Sequence, residues 1–416
     1  MGSEEPRLAE CTRSSAPPAG RFASELNRDV PPAEPGEFAP LALGPLSIWP
    51  PVVLAPMAGV TNLPFRALCR EFGAGLYVSE MITARGFVLG NRKTHRLATC
   101  GPDERPRSVQ VYGSEPADLA LMVARLVEEG VDHVDLNLGC PVPKVTAHGG
   151  GSAIPLRPRL MARLVRAMVG AARGVPVSVK VRKGIDDSLL TYLEAGRVAE
   201  LEGASAIGLH ARTAAQLYSG SADWQAIGEL KASVSIPVLG NGDVWECWDA
   251  LRMLRASGCD GVIVGRGCLG RPWLFRELAQ VFDGCEPDPP PALGEVAAIL
   301  LDHARRLAAF FGEEVGMMHA RKWVGWYTKG FRGSASVRSG LHGLSTLRDL
   351  EGLIAELDPS EPFPITALRA GRAKGNRTQR VALPQGWLER RDDDAAPASP
   401  SCAAELDELE RALQAG

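Results

Sequence analysis

The run Val134-Asp135-Leu136-Asn137-Leu138-Gly139-Cys140-Pro141 ends an apolar stretch in a cysteine that a proline fixes in place. An unperturbed thiol has a pKa of about 8.5, so at neutral pH it is mostly protonated and can give up a proton. Reduction of an activated C=C bond needs such an acid opposite the hydride donor. The plainer readings of Cys140 are a small buried hydrophobe or a redox thiol. Lys180 lies in Val177-Ser178-Val179-Lys180-Val181-Arg182, where a buried cation is costly unless an anion meets it. The N1/O2 edge of a reduced flavin is one such anion; a lysine at a strand end reaching water is the alternative. Gln110, in Ser108-Val109-Gln110-Val111-Tyr112-Gly113, carries an amide that both donates and accepts, which suits a pyrimidine-like ring edge or a satisfied core position. His210 closes Leu209-His210-Ala211-Arg212-Thr213 and gains interest only from its neighbours.

Two glycine-bearing runs point to phosphate. Leu239-Gly240-Asn241-Gly242-Asp243 and Val264-Gly265-Arg266-Gly267 expose backbone N–H groups after strands, with a helix start near Pro272 and an added charge in Arg266. One phosphate site without a dinucleotide fingerprint favours FMN over FAD. The small residues and rigid proline of Ala55-Pro56-Met57-Ala58-Gly59-Val60-Thr61 let a flat ligand approach the backbone.

These residues need strands to carry them. Eight short runs rich in β-branched residues begin at Val52, Gly75, Ser108, His133, Val175, Ala206, Ile236 and Gly261. Amphipathic stretches between and after them read as helices: Leu63 to Phe72, Ala117 to Glu129, Arg159 to Ala172, Leu189 to Glu202, Trp224 to Ala232, Trp245 to Ala256 and Trp273 to Phe282. The helix between the second and third strands is less clear. This alternation is the pattern of an α/β protein, a TIM (β/α)8 barrel with chemistry at the C-terminal strand ends. No Gly-x-Gly-x-x-Gly turn follows the first strand, which disfavours a doubly wound sheet.

Composition sets the frame around the barrel. The 416 residues are 45% hydrophobic and 23% charged, with a net charge of −3, so nucleic-acid affinity has to come from a local surface. Nine scattered cysteines without a Cys-x-x-Cys pair argue against a disulfide framework and against a metal centre. No signal peptide and no run long enough to span a bilayer is legible, which makes the cytoplasm the expected location. Residues 1–45 read as a disordered tail, 46–285 as the barrel, 292–358 as an all-α helical domain, and 359–416 as a mostly disordered basic then acidic tail. The helical domain contains an acid-free stretch from Arg321 to Arg348, in which Lys322, Lys329, Arg332 and Arg338 alternate with Trp323, Trp326, Tyr327 and Phe331. Arg369, Arg372, Lys374, Arg377 and Arg380 form a second basic stretch, either an auxiliary RNA contact or a solvated linker.

The motifs Ala-Pro-Met-Ala-Gly-Val-Thr-Asn from Ala55, Asn-Leu-Gly-Cys-Pro-Val-Pro-Lys-Val from Asn137, His-Ala-Arg-Thr from His210, Gly-Asn-Gly-Asp from Gly240 and Val-Gly-Arg-Gly from Val264 resemble the tRNA-dihydrouridine synthases of the bacterial type. The resemblance spans about residues 48–355. It implies an FMN barrel in which NADPH reduces the flavin and the flavin passes hydride to C6 of a uracil in tRNA while Cys140 protonates C5; a monomer is the expected state. It further implies that Pro56, Met57, Ala58, Gln110, Lys180, His210, Asn241, Gly242, Asp243, Gly265 and Arg266 hold FMN. Asn137, Lys144, Arg182 and Arg212 would lie near the uridine or its phosphates, and the helical domain, with Lys322 and Arg332, would grip the tRNA. Two other readings stay open: a flavin barrel reducing a small molecule, such as a dihydroorotate or enone reductase, and a catalytically silent RNA-binding barrel.

Overall fold

The computed structural model describes residues 24–372 and 377–397. An antiparallel hairpin, β1 (Leu41–Leu43) and β2 (Leu46–Ile48), precedes nine parallel strands: β3 (Val52–Leu54), β4 (Leu76–Tyr77), β5 (Ile82–Thr83), β6 (Ser108–Tyr112), β7 (His133–Leu138), β8 (Val177–Arg182), β9 (Ala206–His210), β10 (Val238–Asn241) and β11 (Gly261–Val264). Their order in the sheet is β4-β3-β11-β10-β9-β8-β7-β6-β5. β4 and β5 are the two halves of the second expected strand. Between them Val78 bridges Ser108 in parallel, and the Ser79 N–H donates to the Ser108 carbonyl at 3.1 Å, so the curled sheet closes as a barrel. The break arises where Glu80 leaves the ladder and its carboxylate accepts from the Gly59 N–H at 2.8 Å.

The barrel helices are α1 (Leu63–Glu71), α2 (Ala84–Val88), α3 (Arg92–Ala98), α4 (Pro116–Glu128), α5 (Pro143–Thr146), α6 (Pro158–Ala171), α7 (Tyr192–Leu201), α8 (Trp224–Ser233), α9 (Cys247–Ser257) and α10 (Leu274–Phe282). α2 and α3 occupy the long connection after the second strand, where periodicity is too short to show a helix. Asn91 starts α3 by accepting from the N–H groups of Lys93 and Thr94 at 2.9 and 3.1 Å.

Strand alternation divides the side chains between two environments. Val134, Leu136, Leu138, Val177, Val179 and Val181 join the large core shared with the helices. The intervening residues of β6, β7 and β8 are polar and turn into the barrel. The opposite half of the interior is apolar: Val53, Leu76, Val78, Ala206, Leu239 and Ile263 pack with Leu41, Leu43 and Ile48 of the hairpin, which closes the barrel floor.

A helical unit follows, with α11 (Leu293–Phe311), α12 (Glu313–Tyr327), α13 (Ser334–Gly340) and α14 (Leu347–Ala355). It docks on α1, where the Phe65 ring lies 4.4 Å from Trp323 and 5.5 Å from His303. Trp323, Tyr327 and Phe331 are therefore core residues, whereas Arg332, Arg338 and Arg348 are exposed. Among the described residues no helix is long and apolar enough to cross a membrane.

The segments expected as tails are structured where they are described. From Ser24 onward the chain lies on the barrel: Asn27 is buried and donates to Glu246 and Asp249, and the Ala33 N–H donates to Val281. Beyond residue 359, Arg369 pairs with Glu246 and Asp249, Arg372 is buried, and Trp387 is 3% exposed. Composition underestimated these stretches because their apolar residues are few and scattered, yet Ala33, Leu41, Leu43, Phe363, Leu368 and Trp387 are buried against the rest of the fold and polar anchors hold the chain between them. The expectations for residues 1–23, 373–376 (with Lys374) and 398–416 lie outside the described residues.

Candidate active site

Cys140 sits 9% exposed in the loop after β7, beside Tyr112, Val145, Met81 and Val142. Its loop is held from several directions. The Asn137 side-chain oxygen accepts from the N–H groups of Gly139 and Cys140 at 3.1 and 3.0 Å. The Cys140 carbonyl accepts from the Ser152 N–H at 3.0 Å, and the Arg182 Nε donates to the Gly139 carbonyl at 3.0 Å. Asn137 in turn donates to Gln110 at 2.8 Å, and Gln110 donates to Asp135 at 2.6 Å. The second oxygen of Asp135 accepts from Ser178 at 2.5 Å, and the Ser178 and Ser108 hydroxyls flank His133. A hydrogen-bonded chain thus runs through the polar half of the barrel interior to the cysteine loop.

Register explains how the cations converge. Lys180 pairs with Asn137 on one side and Gly208 on the other, and Arg182 pairs with His210, which pairs with Asn241. Gly208 leaves room for Lys180 to pass: a Cβ there would stand 2.8 Å from Ile263 and 3.5 Å from the Lys180 side chain. The Lys180 ammonium then reaches Asn241 Oδ1 at 3.0 Å. At the mouth, Gly267 allows the loops after β10 and β11 to touch, since a Cβ would lie 2.2 Å from the Val244 carbonyl. The Arg266 guanidinium lies 4.2 Å from the Tyr218 ring and 5.2 Å from Trp245.

One cleft of about 420 Å³ joins these groups: Pro56, Met57 and Ala58, then Asn137, Cys140, Lys180, Arg182 and His210, then Asn241, Gly242, Asp243, Gly265 and Arg266. Its field is strongly positive. Burial, then Arg182, lowers the Lys180 pKa to about 8. Burial, followed by the charges of Arg182, Lys180, Arg212 and Arg266, pushes His210 far below the ordinary imidazole range, so the ring is neutral. Burial also lowers Arg182 and Arg266, and among the described residues Asp243 is the one acid lining the cleft. The buried Nη1 of Arg212, behind Gly242, has no hydrogen-bond partner among the described residues. Cations in excess and an orphaned guanidinium nitrogen fit a ligand carrying phosphate and a further anionic edge.

Several expected residues are placed differently. Gln110 stands behind Asn137 instead of facing the cleft. Arg212 is 2% exposed and is tied to Asp243 and to the Ser219 and Gly220 carbonyls. Lys144 is exposed on α5, next to the cleft but not among its lining. Lys322 turns inward and donates to the Gly59 carbonyl, with the Glu80 charge acting on it, so it braces the loop after β3; Arg332, just beyond the end of α12, is exposed. The lining also contains Met81, Tyr218, Trp245 and Gln379, which sequence reasoning missed. Asp135 and Ser178 were missed as well, although polar residues alternating with valine and leucine in β7 and β8 were a readable signal.

A family model described as dihydrouridine synthase matches residues 53–358. A probable tRNA-dihydrouridine synthase of Mycobacterium tuberculosis is 50% identical over 369 residues, covering 86% of this chain and 94% of its own. One from Mycobacterium leprae is 48% identical, covering 83% and 97% respectively. The tRNA-dihydrouridine synthase B of Pseudomonas aeruginosa is 42% identical over 298 residues, covering 71% and 89%. With these matches across barrel and helical unit, the chain belongs to the dihydrouridine synthase family.

Proposed function

We propose that the protein is a tRNA-dihydrouridine synthase that reduces the C5=C6 bond of uridines in tRNA, with FMN as cofactor, NADPH as reductant and Cys140 as proton donor. The observation that carries this reading is the single cleft shared by the Cys140 thiol and a ring of cations. When bound, FMN reduced by NADPH supplies a hydride to C6 of the uracil. Lys180 would meet the flavin's anionic edge, Asn241, Gly242, Asp243, Gly265 and Arg266 would hold ribityl and phosphate, and Pro56, Met57, Ala58 and His210 would line the ring or tail. Gln110 would act on that site through Asn137.

Cys140 delivers its proton to C5, the sulfur keeps the bonding pair, and solvent restores the thiol. Arg182, whose charge acts on the Cys140 sulfur, stabilises the thiolate left behind. Asn137 fixes the donor loop and borders the uracil. Because C5 and C6 are covered in a base stack, the uridine is extruded into the cleft. Arg332, Arg338 and Arg348 offer the exposed charge of the helical unit to tRNA phosphates, with Lys144 beside the entrance.

Cys140→Ala tests the assignment. The variant should retain its flavin and its NADPH oxidation while forming little dihydrouridine in a single turnover. Full product formation would remove the acid role.

A further inference from the structure

Residues 377–397 lie beyond the span matched by the family model, yet Gln379 among them reaches the active-site cleft. The Gln379 Nε2 donates to the Pro141 carbonyl at 2.7 Å and to the Ala214 carbonyl at 3.3 Å, and its backbone N–H donates to Ala215 at 2.9 Å. A single residue therefore joins the loop after β7, which carries Cys140, to the loop after β9, which carries Tyr218. Arg182 makes the same connection independently: its Nε meets the Gly139 carbonyl at 3.0 Å, and its Nη1 meets the Thr213 and Leu217 carbonyls, each at 2.9 Å.

The segment is anchored close by. Trp387 donates from Nε1 to the Ala153 carbonyl at 2.9 Å, and the Arg157 guanidinium lies 3.6 Å from its ring centroid. Arg391 meets Glu194 at 3.0 Å, and Asp393 meets Arg157 at 3.6 Å. Ala153 follows Ser152, whose N–H holds the Cys140 carbonyl. The segment thus grips the cysteine loop at Pro141 and again just past it.

We propose that this C-terminal segment completes the active site, with Gln379 a positioning residue that holds the Cys140 loop against the loop after β9. The proposal rests on the reaction assigned above. Cys140 can protonate C5 only from a fixed position. Asn137, Ser152 and Arg182 hold its loop before and at the cysteine, and Gln379 adds the hold on the Pro141 carbonyl just after it, so its loss leaves that side of the loop freer and weakens the alignment.

Gln379→Glu in the full-length protein is the test, because it keeps the side-chain size and replaces the donating amide with a carboxylate facing two carbonyls. Flavin content and NADPH-dependent flavin reduction should match the parent. Single-turnover dihydrouridine formation should fall about tenfold, and alkylation of Cys140 by iodoacetamide should speed up severalfold, with Cys140→Ala as the blank. Trp387→Phe, which loses the bond to Ala153 but keeps a ring, should shift both rates the same way and less. Parent-like turnover and alkylation in Gln379→Glu would overturn the proposal, as would a loss of flavin in step with activity, which marks general damage. If the parent itself formed no dihydrouridine, the assigned reaction would fall, and the alkylation rates alone would still decide the clamp.

Discussion

Lys180→Met should have opposite effects on the flavin-free fold and on flavin affinity. The lysine hydrogen-bonds to a neutral amide oxygen of Asn241, and burial followed by Arg182 lowers its pKa from 10.5 to about 8. That depression corresponds to about 3 kcal/mol of disfavour for the charged form. Part of the side chain faces the cleft, where water screens the charge, and methionine loses one hydrogen bond. The flavin-free variant is therefore expected to gain roughly 1 to 2 kcal/mol at pH 7. Below about pH 8 the amine is charged in folded and unfolded chains alike and adds no pH slope. Between about 8 and 10.5 the folded chain releases its proton first, so the parent gains stability with rising pH, and the variant lacks that gain. Denaturant unfolding of flavin-stripped protein at pH 7 and 9.5 reads both effects, and flavin fluorescence titration reads affinity. Loss of a charged contact should weaken FMN binding by roughly 10- to 100-fold. A variant less stable than the parent without flavin, or one that binds FMN equally well, would refute the reasoning.

Asn137→Ala removes the acceptor for the Gly139 and Cys140 N–H groups, so Cys140 alkylation should accelerate while dihydrouridine formation falls about tenfold or more. Glu104→Gln leaves the Arg66 guanidinium, 1% exposed, without its anion and should cost about 3 kcal/mol in denaturant unfolding; an unchanged midpoint would show that the pair is not structural. Joint charge reversal at Arg332 and Arg338 should weaken tRNA binding and reduce its log–log salt slope by about 0.7 to 0.9 per lost phosphate contact. Lys322→Met should leave that slope unchanged, because the lysine points to Gly59.

Much of the barrel was legible along the chain, because strand and helix periodicities are local and each strand end carries its chemistry in neighbouring residues. Cys140 after Asn137-Leu138-Gly139 and the glycines around Asn241 and Arg266 could be picked out before any contact was known. What a side chain meets across the barrel is not a local property. The charge of Lys322 and Arg212 suggested RNA, but packing turned one onto the Gly59 carbonyl and the other onto Asp243. Trp323 and Tyr327 of α12 proved to be core and Trp326 half-buried, since a helix repeats every 3.6 residues and the stripe packed against the rest of the fold had to be apolar. Gln379 and Trp387 carry no motif; they matter because the chain returns to the mouth of the barrel after leaving it. Residue order was enough to specify the eight barrel strands, apart from the break in the second, and the candidate groups at their ends, but not the β1–β2 hairpin. Only the closed barrel decided which cations share a cleft and which segments hold Cys140, because burial and partner choice depend on residues far apart in sequence.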